Sequence, residues 1–169
     1  LNYIKNILNG DVRYFAYRYH FVSHPPAYFL LAAPFVKALG ESIWTLRMFS
    51  VICSIFSLIF VYLITREFLA YEYGLLAALS FALYPKLIFW ARMALANNLL
   101  GLAALLMTYL LLRGLRTDEN RLLTYAGVVA GFMPLIQYQG IAFTFAYVFI
   151  IAISKKEVLI RSLVVSFAP

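Results

Sequence analysis

The chain has 169 residues, of which 64% are hydrophobic, 18% aromatic and only 12% charged, against a charged share of about 25% in an ordinary soluble domain. That balance excludes a soluble globular protein and makes the chain integral to a membrane. In a soluble protein a net charge of +7 would point to nucleic acid; here the basic residues stand at the ends of apolar runs, so membrane lipid head groups are the expected anions and no nucleic acid is expected.

The single cysteine, Cys53, excludes an intrachain disulfide and a cysteine-based metal site. Because it opens on Leu1 and closes on Pro169 inside an apolar stretch, the chain is read as an internal piece of a longer protein. "LNYIKNILNG" sets Leu1, Tyr3, Ile4, Ile7 and Leu8 on one helical face and Asn2, Lys5, Asn6 and Asn9 on the other. This predicts an interfacial helix ended by Gly10. "DVRYFAYRYHFV" follows, where Tyr14, Phe15, Tyr17, Tyr19 and Phe21 mingle with Arg13 and Arg18. An aromatic belt at headgroup level is the plain reading, a sugar-stacking platform the minority one. Asp11, after a glycine, reads as a turn residue.

In "SHPPAYFLLAAPFVKAL", Pro25 and Pro26 suit a helix start because proline lacks an N–H that would go unpaired there. Residues before proline favour extended backbone, which holds His24 just outside the helix. The helix from about Ala27 to Leu39 contains Pro34 and is too short to span, so a second interfacial helix is expected. Ile43–Thr65 is the clearest span. A second runs from about Tyr73 to Trp90, broken near Pro85 and Lys86, and a third from Met93 to Leu112. Leu122–Ser154 is divided by "QYQG", Gln137 to Gly140, into halves of about 122–136 and 141–154. These predict a tight helical hairpin, in which Gln137 and Gln139 solvate the turn. Val158–Pro169 begins one more span. The expected fold class is therefore all-α: a multi-spanning transmembrane bundle, a single domain, with two interfacial helices in a first extracytoplasmic loop over residues 1–42.

Raw charge counting does not orient it. With the first loop outside, Arg66, Arg113, Arg116, Arg121, Lys155, Lys156 and Arg161 fall inside, and Lys5, Arg13, Arg18, Lys37, Arg47, Lys86 and Arg92 outside, seven each. Six of the inner charges lie in two short loops, where the positive-inside rule is strongest, and this favours the first loop outside. An anionic ligand would then explain the cations kept on the outer side.

On that topology His24, Arg47, Lys86 and Arg92 share one membrane surface, where cations and helix N–H groups can meet a phosphate. Each also has a plainer reading. His24 can be an interfacial polar residue, and Lys86 and Arg92 can be snorkelling helix-end cations. Arg47 reads foremost as structural, paired with backbone or Glu41. Asn97 and Asn98 are either a helix cap or part of the site. Glu67, Glu72, Asp118, Glu119 and Glu157 all fall on the predicted inner side, leaving no obvious base at the outer surface.

"YIKNILNGD", "HPPAYFLLAAPFVKALGES", "WTLRMFSVICS" and "LYPKLIFWARMALANNLL", in this order, resemble the first half of the superfamily of dolichyl-phosphate-mannose protein mannosyltransferases and aminoarabinose transferases. The resemblance covers roughly Tyr3 to Leu112 and rests most on His24-Pro25-Pro26 followed by Gly40, Trp44 and Arg47. It implies a C-type glycosyltransferase that moves a sugar from a polyprenyl-phosphate-linked donor to an acceptor protein, lipid or glycan at the extracytoplasmic face. It further implies an acidic catalytic residue a few positions before Leu1, and His24, Lys86 and Arg92 as contacts to the lipid-linked phosphate. Asn97 stands where relatives often carry an aspartate after the arginine, and an amide cannot serve as a base. These residues assign no cofactor, and a divalent metal on the phosphate is left open. This stretch of the protein is expected to be inactive alone, and the expected location is a prokaryotic cell membrane. An anionic-lipid transporter or flippase and a non-catalytic membrane module are the competing readings; the first calls for mid-span ionisable residues and internal repeats that the sequence does not display.

Overall fold

A computed structural model describes residues 25–154. The helix expected over residues 1–10, the aromatic stretch after it, His24 and the stretch 158–169 lie outside the described residues. Within them the chain forms seven helices and no strand: α1 Ala27–Leu39, α2 Ile43–Phe68, α3 Tyr71–Leu83, α4 Pro85–Arg92, α5 Ala96–Thr117, α6 Asn120–Ile136 and α7 Gly140–Ser154.

Local chemistry sets the boundaries. Pro26 occupies the N-cap of α1, as the missing proline N–H favours. Gly40 ends that helix at φ 90°, and the turn into α2 closes through Thr45 Oγ1 donating to the Gly40 carbonyl at 2.9 Å. Ser42 caps α2, accepting from the Trp44 N–H at 3.2 Å, the side-chain cap expected of serine at that position. Pro85 opens α4 after α3 has ended, and the two helices meet at 62°. The predicted break at Pro85 is thus a sharp bend between two helices.

α2 and α5 are each long and apolar enough to cross a membrane, and α3 with α4 makes a third such element if the bent pair is taken as one. At 1.5 Å per residue, the 26 residues of α2 extend about 39 Å, beyond the roughly 30 Å of a hydrocarbon core. α6 and α7 have 17 and 15 residues and form the hairpin expected around "QYQG". Tyr147 Oη donates to the Leu123 carbonyl at 2.8 Å and Thr144 Oγ1 to that of Ala130 at 2.6 Å, tying α7 to α6.

Much of the exposed surface is apolar. Ile43, Met48, Val51, Ile55 and Ile59 of α2 stand outward, and a helix apolar all round belongs in lipid. The buried seam runs through Met107 and Leu111 of α5 and Leu123, Ala126, Ala130 and Met133 of α6. Small residues let these two backbones approach, as membrane helix pairs require. At Gly114 of α5 an added Cβ would fall 2.7 Å from Leu123 Cδ2. α1 packs on the first turns of α2 through Tyr28 and Phe35, whose rings lie 5.8 and 5.0 Å from that of Phe49. The end of the bundle where α1 meets α2 is the upper end below, and the end holding the α2–α3 and α5–α6 turns is the lower.

Candidate functional site

Trp44, Arg47, Met48, Val51 and Ile52 recur at helical spacing and so form one stripe on the upper turns of α2. With Arg92, the last residue of α4, this stripe lines a groove of about 360 Å³. The guanidinium of Arg47 rests over the Trp44 ring, 5.0 Å from its centroid, in the geometry of a cation–π contact. Arg47 is half-buried and Arg92 exposed. Two cations distant in sequence therefore meet on one apolar-walled groove.

Arg92 also borders a second cavity of about 400 Å³ formed by α2, α3, α4 and α5. Leu58, Phe81, Leu87, Ile88 and Leu105 are its large apolar members, with Ser54, Ser57, Asn97 and Asn98 among its polar ones. The two serine hydroxyls are already committed to their own helix, donating to the carbonyls of Ser50 and Cys53 at 3.0 and 2.9 Å. Asn98 is committed too. Its amide donates to the Trp90 carbonyl at 2.7 Å and, more weakly, to that of Met93 at 3.4 Å. The asparagine pair thus divides: Asn98 caps the end of the preceding helix α4, next to Arg92, whereas the N-cap of α5 is Leu95, without a side-chain bond.

Lys86 stands exposed in the first turn of α4 and lines neither cavity. His24 immediately precedes the described residues. Of the sequence-derived cations, the structure brings Arg92 to the groove and adds Arg47, which the sequence suggested foremost as structural. The signal for Arg47 was present in the Trp44-x-x-Arg47 spacing, which puts guanidinium and indole on one face. Its neighbour across the groove was not readable, because the return of α4 onto α2 is a tertiary event.

Carboxylates separate from this site. Glu67, Glu72, Asp118 and Glu119 belong to the lower end, while Glu41, between α1 and α2, lines neither upper cavity. Among the described residues, no three metal-ligating side chains gather into a cluster.

The geometry defines a helical membrane protein with an arginine-lined groove opening beside an apolar cavity. The model of the dolichyl-phosphate-mannose-protein mannosyltransferase family matches residues 23–168, and the chain belongs to that family. It is thereby a membrane glycosyltransferase of the mannosyltransferase type. No curated protein and no solved structure matches it.

Proposed function

We propose that the chain is part of an enzyme that transfers a sugar from a polyprenyl-phosphate-linked donor to a hydroxyl of a protein, lipid or glycan, at the extracytoplasmic face of a prokaryotic cell membrane. The observation that carries this reading is the meeting of Arg47 and Arg92 on one groove. Their positive charge suits the donor phosphate, and the apolar cavity on the other side of Arg92 suits the first units of the isoprenoid chain. His24 and Lys86 are proposed as further phosphate contacts.

In the reaction the acceptor oxygen bonds to the anomeric carbon while the bond from that carbon to the phosphate oxygen breaks. The bonding pair leaves with the phosphate, and a single displacement inverts the anomeric centre. Negative charge grows on the phosphate as the bond breaks, so fixed guanidiniums favour the transition state over the ground state. The acceptor proton passes to a carboxylate, for which the family resemblance supplies a position before Leu1.

Replacing Arg92 by Ala in the full-length protein is expected to lower turnover about 100-fold, the usual cost of removing one such group, with membrane insertion intact. His24→Ala is expected to act in the same direction. Unchanged transfer in both variants removes the assignment. A flippase for anionic lipids, the competing reading, would need ionisable side chains along a path through mid-membrane; the arginines and lysines of the described residues stand near helix ends.

A further inference from the structure

The lower end holds a second basic cavity, unrelated to the transfer site. The closing turns of α2 and α5 surround about 400 Å³ lined by Arg66, Glu67, Tyr109, Arg113, Arg116 and Thr117, with Leu63 at its apolar side. Three guanidiniums face one carboxylate, and that carboxylate is already matched. Arg116 Nη1 lies 3.2 Å from Glu67 Oε2 and donates also to the Glu67 carbonyl, joining α2 to α5. Arg66 has no carboxylate within ion-pair distance among the described residues. Arg113 donates to Tyr109 Oη, and its guanidinium lies 5.8 Å from the centre of the same ring. Glu67 and Glu119 act on Arg113 from a greater distance, tempering its field without neutralising the cluster.

We infer that this cavity is a headgroup site for an anionic phospholipid of the leaflet at the lower end. Depth argues for a lipid: α2 is longer than the hydrocarbon core, so its last turns emerge at headgroup level. Chemistry argues for a phosphate. Arg66 and Arg113 supply charge and forked donors, and the Tyr109 hydroxyl, which accepts from Arg113, keeps its own hydrogen to donate. Leu63 and the exposed apolar faces of α2 and α3 would carry the acyl chains. A zwitterionic lipid brings its own cation and gains little here, so the site discriminates by headgroup charge.

The test is native mass spectrometry of the full-length protein in detergent, titrated with a mixture of phosphatidylglycerol and phosphatidylcholine of matched chains. Phosphatidylglycerol is expected to be retained preferentially. Arg66→Gln and Arg113→Gln should each lower that preference about fivefold, whereas Lys37→Gln, the same charge change at the upper end, should not. Both arginines are exposed, and circular dichroism checks that helicity is unchanged. Tyr109→Phe gives a second reading without any change of charge: loss of one hydrogen bond is expected to lower the preference about fivefold. Equal retention of the two lipids, an equal effect of Lys37→Gln, or indifference to all three lower-end variants overturns the assignment.

Discussion

Arg47 and Arg92 reach the same groove by different means, and their replacements should separate accordingly. Arg92 ends a helix and borders both cavities, whereas Arg47 is steadied by the face of Trp44. Trp44→Leu keeps both charges but frees the Arg47 guanidinium. An exposed cation–π contact of about 0.5–1 kcal/mol corresponds to a loss of two- to fivefold, expected in the KM for the lipid donor more than in kcat. A loss confined to kcat would contradict a positioning role for the indole. Tyr28 offers the opposite kind of test. Its hydroxyl and that of Ser50 are buried without a hydrogen-bond partner among the described residues, and burial pushes the Tyr28 phenol up, against a smaller opposing effect of the Ser50 hydroxyl. Removing an unpaired buried polar atom while keeping the ring costs little and often stabilises, so Tyr28→Phe is expected to leave thermal stability equal or raised. Because the raised pKa favours the neutral phenol in the folded state, its contribution persists below the ordinary tyrosine range and is lost only as pH climbs through the elevated value. The stability difference between the wild-type and Phe proteins should therefore stay constant at lower pH and change only in alkali.

Elements were legible where a residue forces the backbone. Pro25-Pro26 starts α1 and Pro85 breaks the second apolar run, both as the sequence implies, while Gly40 ends α1 at φ 90°. Hydropathy marks where lipid stops and not where hydrogen bonding stops, so the long helices outrun the spans read from it. α2 continues past Thr65 to Phe68 through Arg66 and Glu67, and α5 runs past Leu112 to Thr117. Both extensions are charged turns that remain helical at the membrane edge. The Asn98 bond to Trp90 spans eight residues across a chain reversal, and no local pattern announces it. It nevertheless fixes the segment that carries Arg92. Asn98→Ala is expected to destabilise the protein by about 1 kcal/mol and to lower transfer severalfold. Asn98→Asp, isosteric but unable to donate, should do no better than Ala, and a fully active Asp variant would exclude the capping role. The α6–α7 turn has a steric demand of its own. A Cβ on Gly140 would stand 2.3 Å from the Met133 carbonyl carbon and 2.4 Å from its oxygen, both backbone atoms that cannot swing aside. Gly140→Ala must therefore open the hairpin, and a loss of about 1–3 kcal/mol should appear as earlier thermal unfolding.

For the whole molecule, the proposed transfer site at the upper end makes a prediction about which compartment that end faces. The raw count of seven cations on each side is even, and only the compactness of the inner clusters favours the first loop outside; the structure adds a contrast in lining, with arginines and no carboxylate at the upper groove and arginines mixed with Glu67 at the lower cavity. Transfer from a lipid donor at the extracytoplasmic face requires the upper end to lie outside. The chain is well suited to a direct test, since its one cysteine, Cys53, is only 3% exposed and gives little background to a thiol reagent. Glu41→Cys places a thiol in the upper turn between α1 and α2, and Glu119→Cys one in the lower turn between α5 and α6; both positions are exposed. In intact cells a membrane-impermeant maleimide is expected to label the first variant at once and the second only after permeabilisation. The reverse pattern would put the arginine groove in the cytoplasm, where the proposed reaction does not belong, and would leave the headgroup site of the lower end on the outer leaflet with its phosphate chemistry unchanged.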